Sequence, residues 1–450
     1  MNLSLRQILE ATSGKLMTMN DLPNFTSIST DTRTIKRGAL FVPISGANYD
    51  GHNYITRASQ KGALCTLSEK TPVYTDLPVI YVKSTREALL DLAAYYRRLH
   101  KVRVVGITGS AGKTTTKEMI AAVLSSKFRV KKTQGNFNNE IGLPLTVFDL
   151  EQEDEILVLE MGMNHAGEIR KLSKAGKPDV AVITNIGDAH IENFKNREGI
   201  LNAKLEILEG LGKDGVAVIN GDDSLLTGKI AAKKLLGINV YKPGMSNSVS
   251  IIKESINGTE CKIRAGKEIE LTIPVPGRHM IENAMLAVQV GIHFGLSVKE
   301  ITAGFASFEP PLNRLTRHFA NGLSIFSDTY NASPQSMFAA LQVFDLDENS
   351  KRKVAVLGDM AELGAFSDKN HTEVGEAAAG AGIDLLIAIG NNSKIYADVF
   401  KEKNKECYHF DSIEDFTTDW KKYLKPGDCV LVKAARMMTF EKIVESLLVE

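Results

Sequence analysis

Apolar residues in this chain recur with two different periods, and the alternation between the two sets the expected fold. Val102 to Thr108, Ile156 to Leu159, Val180 to Thr184 and Val216 to Ile219 are short β-branched runs, too short for helices and composed like buried strands. Between them lie stretches of helical spacing. Leu89, Leu92, Ala93 and Tyr96 mark one over Ser84 to His100; Leu201, Leu205, Leu208 and Leu211 mark another. A helix-compatible stretch also runs from Lys117 to Leu124. Strand, loop and helix in repetition predict a largely parallel sheet covered by helices. The stretch Glu309-Pro310-Pro311-Leu312-Asn313 interrupts this pattern. Leu323 to Phe326, Val354 to Leu357, Leu385 to Ile389 and Val430 to Val432 then predict a second α/β unit, while the first 83 or so residues mix short strands with turns. Three domains are expected, at residues 1–100, 101–313 and 314–450 of a 450-residue chain that is too long for one core.

Composition narrows the partners. Lys+Arg and Asp+Glu both number 54, so no strong positive field invites nucleic acid or an anionic membrane. No apolar stretch is long enough to span a bilayer, and Met1 to Gly14 lacks a run of signal-peptide length. Cys65, Cys261, Cys407 and Cys429 are far apart, with no CxxC pairing for zinc or redox exchange. Free thiols and a cytoplasmic location are expected.

The candidate chemistry begins where the strand ending at Thr108 runs into Gly109-Ser110-Ala111-Gly112-Lys113-Thr114-Thr115-Thr116. Glycines let a backbone turn tightly and aim its N–H groups at phosphate oxygens, and the following helix adds its positive end. Lys113 can neutralise phosphate charge, and the Thr114 hydroxyl can bind Mg²⁺. Position 107 is Ile, so this is the shorter G-x-x-G-K-T form; the bland alternative is a glycine-rich turn that happens to carry a lysine. Glu160 ends an apolar strand, which suits either a metal-holding carboxylate at the carboxyl edge of a sheet or a solvated strand-end charge. His190 follows another strand and faces the same crevice, although a lone histidine is more often structural. Lys204 lies on the apolar stripe of Leu201 and Leu208. Either it snorkels out past its aliphatic stem, or it is a desolvated amine of lowered pKa.

Together these segments resemble the Mur ligase family along nearly the whole chain. Thr108 to Thr115 is similar to that family's ATP loop. Glu160-Met161-Gly162 and Asn185-Ile186-Gly187-Asp188-Ala189-His190 resemble its magnesium-binding segments, and Asn202-Ala203-Lys204-Leu205-Glu206 the segment whose lysine is carbamylated. Gly277-Arg278-His279-Met280-Ile281-Glu282-Asn283 resembles the adenine segment, and Leu312-Asn313-Arg314-Leu315 the hinge with its arginine. Within the family, Asp328-Thr329-Tyr330-Asn331-Ala332-Ser333-Pro334 and Leu357-Gly358-Asp359-Met360-Ala361-Glu362-Leu363-Gly364 look like the member that adds D-alanyl-D-alanine. Ser29 to Arg33 and Ser45 to His52 resemble its UDP-sugar segments, whereas Lys433-Ala434-Ala435-Arg436 departs from the more usual Gly-Ser before the arginine.

The resemblance implies a small N-terminal α/β UDP-binding domain, a central P-loop-type domain with a mainly parallel sheet, and a C-terminal Rossmann-like α/β domain. It implies a monomeric, ATP-dependent ligase that adds D-alanyl-D-alanine to a UDP-N-acetylmuramoyl-tripeptide through an acyl phosphate. Its expected catalytic residues are Lys113, Lys204, His190 and Asn138 or Asn139. Its ATP site would comprise Gly109, Ser110, Ala111, Gly112, Lys113, Thr114, Thr115, Asn283, Arg314 and Asp328. Thr30, Asp31, Thr32, Arg33, Ser45, Gly46, Asp50, His52, Tyr330 and Asn331 would bind the substrates. Thr114, Glu160, His190 and Lys204, as a carbamate formed with carbon dioxide, would hold Mg²⁺. Two other readings stay open at this level: another ligase of the superfamily, diaminopimelate- or lysine-adding or a folylpolyglutamate synthase, and a nucleotide-switched binding protein. The third residue of the accepted peptide, lysine or diaminopimelate, also stays open.

Overall fold

The strand Arg103–Thr108 lies at the centre of a six-stranded sheet, and its alternating side chains enter two different cores. Val105 and Ile107 point to one face, and Val104 points to the other. The neighbouring strands Ile156–Glu160 and Val180–Ile183 split in the same way, as the two-residue period of a strand buried on both faces requires. This computed structural model describes residues 1–17, 22–71, 75–232, 239–241, 249–347 and 350–449.

The order in that sheet is Asn239–Tyr241, Val216–Ile219, Val180–Ile183, Arg103–Thr108, Ile156–Glu160, Val130–Lys132, with every pair parallel. The chain leaves the central strand to build one side of the sheet and then returns to build the other. Such a switch point leaves a crevice at the carboxyl ends of the two strands that flank it. An N-terminal five-stranded sheet (Lys15–Leu16, Val79–Tyr81, Cys65–Ser68, Ala39–Phe41, Ser27–Ser29) is parallel except for its first strand. The helix Thr85–Arg98, capped by Ser84, joins it to the central unit, where Tyr96 donates to the Leu150 carbonyl at 3.2 Å. The C-terminal sheet has the order Thr316–Ala320, Leu323–Ser327, Asp428–Lys433, Arg352–Gly358, Leu385–Ile389, Glu406–Phe410; only its first pair is antiparallel. The chain is thus mixed α/β, with a parallel central sheet and a C-terminal α/β unit, as the hydrophobic pattern predicts. Among the described residues no helix is long and apolar enough to cross a membrane.

Three local expectations change. The helix after the phosphate loop begins at Lys113 and not Lys117, because Gly112 in the left-handed region starts it directly. The Lys204 helix ends at Leu205 and tightens into a 3₁₀ turn over Glu206–Gly210, so Leu208 and Leu211 fall off the regular stripe and are only partly buried. A three-stranded antiparallel meander, Val249–Ser255, Gly258–Arg264 and Glu268–Ile273, stands where the hydrophobic pattern predicts no strands. Its inward residues Cys261, Ile263, Ile269, Leu271 and Ile273 alternate with charged ones and cover the helices behind the phosphate loop.

Two of those helices, Lys113–Ser125 and Val298–Ala306, meet backbone to backbone at Gly304. A Cβ there would lie 2.4 Å from the Cα of Val123 and 2.9 Å from the Ala122 carbonyl oxygen. Gly304→Ala is expected to push the helices apart and to destabilise the protein by about 1–3 kcal/mol. Its melting temperature should fall well below that of Gly228→Ala, where a Cβ meets nothing within 4 Å.

Candidate active site

The phosphate-type loop is shaped by what stands beside it as much as by its own glycines. A Cβ at Gly109 would lie 1.8 Å from Thr184 Oγ1. Gly112 holds φ at 79°, with Asn283 Oδ1 2.7 Å from the place a Cβ would occupy. The segment after the neighbouring strand braces the loop from behind. Thr184 Oγ1 and Asn185 Nδ2 donate to the Ala111 carbonyl at 2.6 and 3.1 Å, and Ala111 N donates to Asn185 Oδ1 at 2.9 Å. Ser110 N donates to the Asn185 carbonyl at 3.0 Å. Lys113 then opens a helix, so its amine shares the helix N-terminus with free backbone N–H groups, a ready anion site. That amine donates to the Gly109 carbonyl at 2.8 Å. Burial lowers its pKa, with Glu160 opposing and Arg314 adding to the shift.

Over the loop lies a cleft of about 520 Å³ between the central and C-terminal sheets. Of the residues singled out in the sequence, Ser110 to Thr115, Asn138, Asn139, Glu160, His190, Asn283, Arg314, Asp328, Tyr330 and Asn331 all line it. Glu160 is 1% exposed at the end of its strand; Oε1 accepts from Asn138 Nδ2 at 2.9 Å, and Oε2 is buried without a hydrogen-bond donor. Thr114 Oγ1 accepts from Arg314 Nη2 at 3.1 Å, and the Arg314 guanidinium stacks 4.3 Å from the Tyr330 ring centroid. His190, in the left-handed region, has its Nδ1 2.5 Å from Glu362 Oε2. It holds the Glu362 carboxyl below the usual range.

Some predicted residues lie elsewhere. Gly109 sits behind the loop and does not line the cleft. Lys204 does not snorkel: it is 2% exposed on its helix, and burial, with the charge of Lys113, lowers its pKa well below the ordinary lysine value. Thr30, Asp31, Thr32, Arg33, Ser45, Gly46, Asp50 and His52 belong to the N-terminal unit and are absent from the cleft's lining. There Arg33, 80% exposed, donates to the Asp31 carboxylate through Nη2 at 2.7 Å and holds that carboxyl below its usual range. Asp50 gathers Lys70, Ser45 Oγ at 2.9 Å and His52 Nδ1 at 2.7 Å, and its pKa falls well below the carboxylate range chiefly through Lys70.

The structure adds residues to this set. Lys433 is buried at a strand end, where its amine donates to Asp328 Oδ2 at 2.6 Å and to the Asn331 carbonyl at 2.9 Å. His279, half-buried beside that pair, has its pKa pushed down to about 4, chiefly by desolvation. Lys117 is buried behind Glu160, 4.0 Å from Oε2, and donates to the Thr133 carbonyl at 2.7 Å. Lys433 had a signal in the sequence, a lysine closing the apolar run Val430-Leu431-Val432. Lys117 had none, because a lysine in a helix is ordinarily a surface residue.

Comparison with known proteins gives three consecutive matches. The Mur ligase family catalytic domain matches residues 24–97, the Mur ligase middle domain 107–291, and the Mur ligase glutamate ligase domain 313–436. A UDP-N-acetylmuramoyl-tripeptide–D-alanyl-D-alanine ligase of Bacillus subtilis (strain 168) is 39% identical over 428 residues, 94% of this chain and 93% of the relative. Among solved structures, MurF from Acinetobacter baumannii superposes with a TM-score of 0.93 at 29% identity, covering 100% of this chain and 99% of that one. A MurF ligase from Thermotoga maritima in complex with ADP gives 0.82 at 29% identity, over 94% and 96% of the two chains.

The burial of Lys204 has a thermodynamic signature. Its folded pKa lies below its unfolded value, so between the two the unfolded chain binds the extra proton, and the amine destabilises the fold until pH approaches the unfolded value of about 10.4. In bicarbonate-free buffer at pH 7, Lys204→Met is expected to raise stability by on the order of 1 to 4 kcal/mol. The gain should shrink as pH rises toward 10. A Met variant that melts below the parent at pH 7 would contradict this account.

Proposed function

The chain belongs to the Mur ligase family of ATP-dependent amide ligases, and from that premise we propose that it joins D-alanyl-D-alanine to a UDP-N-acetylmuramoyl-tripeptide in peptidoglycan precursor synthesis. The observation that carries the proposal is a full-length match to a ligase of that name, together with one cleft that the phosphate loop and the Tyr330–Asn331 segment line from opposite sides. The substrate carboxylate attacks the γ-phosphorus of ATP, the bond to the bridging oxygen breaks, and ADP leaves. The amine nitrogen of the dipeptide then attacks the acyl carbon, phosphate departs with the former carboxylate oxygen, and the amine loses a proton. The protein's part is alignment and neutralisation of charge.

We assign residues 1–100 to the UDP portion, with Arg33 and the Asp50 cluster as its binding groups. Residues 101–313 would hold ATP, with Lys113 on the phosphates and Asn283 on the base. Residues 314–450 would bring the dipeptide and, through Asp328, touch the nucleotide. Asn138, already a donor to Glu160, and its neighbour Asn139 face the transferring group. We assign the reaction to the cytoplasm, where ATP is supplied.

The residues present suit Mg²⁺. Glu160 offers a buried carboxylate oxygen without a hydrogen-bond donor, Thr114 offers a hydroxyl on the same cleft, and both are the hard oxygen ligands that Mg²⁺ takes. Among the described residues no three His, Cys, Asp or Glu side chains converge; nucleotide phosphates would offer further oxygen ligands of the same hard kind. Bound Mg²⁺ neutralises phosphate charge as the phosphoryl group moves. We further assign His190 and a carbamate of Lys204 to a second ion. Burial favours the uncharged Lys204 amine, which would add to carbon dioxide and release a proton, turning a group that would repel a cation into an anionic oxygen ligand.

Two measurements test this reading. Phosphate release should require ATP, UDP-N-acetylmuramoyl-tripeptide and D-alanyl-D-alanine together, and Lys113→Ala should abolish it while leaving the melting temperature within a few degrees of the parent. Release that ignores the dipeptide would overturn the assignment. Lys204→Arg should be nearly as inactive as Lys204→Ala, and formate or acetate should restore part of the activity of the Ala variant alone. An Arg variant with parental turnover would rule out the carbamate.

A further inference from the structure

At the wall of the cleft, which Gln335 helps to line, the C-terminal unit touches the segment that braces the phosphate loop, and one side chain makes the join. Gln335 Nε2 donates to Asp188 Oδ2 at 2.7 Å, and Gln335 Oε1 accepts from the Asp188 backbone N–H at 3.1 Å. One carboxamide thus satisfies a donor and an acceptor of the same residue. It lies against bare backbone, since a Cβ at Gly187 would come within 2.7 Å of Gln335 Cδ and Oε1. Asp188 is 6% exposed, and Arg197 holds its carboxylate from the central unit, with Nε 2.6 Å from Oδ1 and Nη2 on Oδ2. A hydrogen bond to a buried, charged acceptor is of the stronger kind. The connection continues to the phosphate loop, where Gly187 N donates to Ser110 Oγ at 2.8 Å and Ser110 Oγ donates to the Gly187 carbonyl at 3.3 Å. A second contact follows along the same segment, from Glu192 N to the Glu362 carbonyl at 3.2 Å.

We propose that Gln335 is a positioning residue for ligation. Through Asp188 and Gly187, its carboxamide fixes the C-terminal unit at the separation from which Tyr330 and Asn331 face the phosphate loop. Gln335 sits in the first turn of the helix Pro334–Asp345, only four residues beyond Asn331, so anchoring it anchors the start of that helix and the segment before it. The inference rests on reading the cleft as a ligase site. It also explains why this position takes an amide. Glutamate has the same shape, but its second carboxylate oxygen would face Asp188 Oδ2 with no proton between them.

That contrast supplies the test. If Gln335 only filled space, Gln335→Glu would be tolerated better than Gln335→Ala. The clasp predicts the reverse order. Gln335→Ala should lower kcat about 10-fold and leave KM for the UDP substrate within about twofold, while Gln335→Glu should lower kcat about 100-fold. Adding Asp188→Asn to Gln335→Glu should recover about 5-fold, because the new amide donates to the glutamate while its oxygen still accepts from Arg197 Nε. In small-angle X-ray scattering with ADP and Mg²⁺, Gln335→Glu should be more extended than the parent and the double variant closer to it. A Glu variant as active as the Ala variant, or an Ala variant with parental kcat, overturns the clasp. A parent that does not use D-alanyl-D-alanine, with the scattering order intact, overturns the proposed reaction and leaves the clasp standing.

Discussion

Lys113 and Lys204 are two amines in one desolvated region, and the charge of Lys113 is one of the forces that lowers the pKa of Lys204. Burial works against both ammonium groups, but their surroundings differ. Lys113 has Glu160 opposing its loss of charge, whereas among the described residues no carboxylate acts to restore the charge of Lys204. Both pKa values fall, but that of Lys204 falls without the opposing carboxylate that Lys113 has. Glu160 is the pivot of this difference. Its own position depends on Asn138 at one oxygen, Lys117 behind the other and Thr133 at its backbone N–H. Much of the central unit, from the fully buried strand Ile156–Glu160 to the helix that carries Lys117, serves to hold that carboxylate dry and in place.

The parts of this arrangement that could be read from the sequence are those in which one residue type has one physical use. A strand, two glycines, a lysine and a threonine in close order suit a phosphate and little else, and the parallel strands announced themselves by apolar runs buried on both faces. What could not be read was held by burial or by contacts remote in sequence. The meander over Val249–Ser255, Gly258–Arg264 and Glu268–Ile273 alternates apolar with charged residues over short spans, a weaker pattern than the runs around it. Lys204 offered two opposite readings, and only the packing around its helix decides between an amine in water and an amine out of it. The Lys433–Asp328 pair joins residues 105 positions apart, and Lys117 reaches Glu160 from inside a helix.

The cleft is made by two sheets that share no strand, so its shape depends on how they are joined. Arg314 links the start of the C-terminal unit to the Thr114 hydroxyl, and the Thr184 to Glu192 segment meets both the phosphate loop and the opposite wall. A brace and a docking strip are therefore one continuous piece of chain. A disturbance at its far end has a short hydrogen-bonded route, through Gly187 and Ser110, back to the nucleotide loop.

Gly187 gives that piece of chain its one bare surface, the place where Gln335 comes to rest. A flat contact between a side-chain amide and bare peptide backbone is also the seam along which the two walls would have to part. A planar compound carrying its own adjacent donor and acceptor could match the Asp188 backbone and carboxylate as the glutamine does and hold the two walls apart. Such a wedge inhibitor would need no phosphate and no purine.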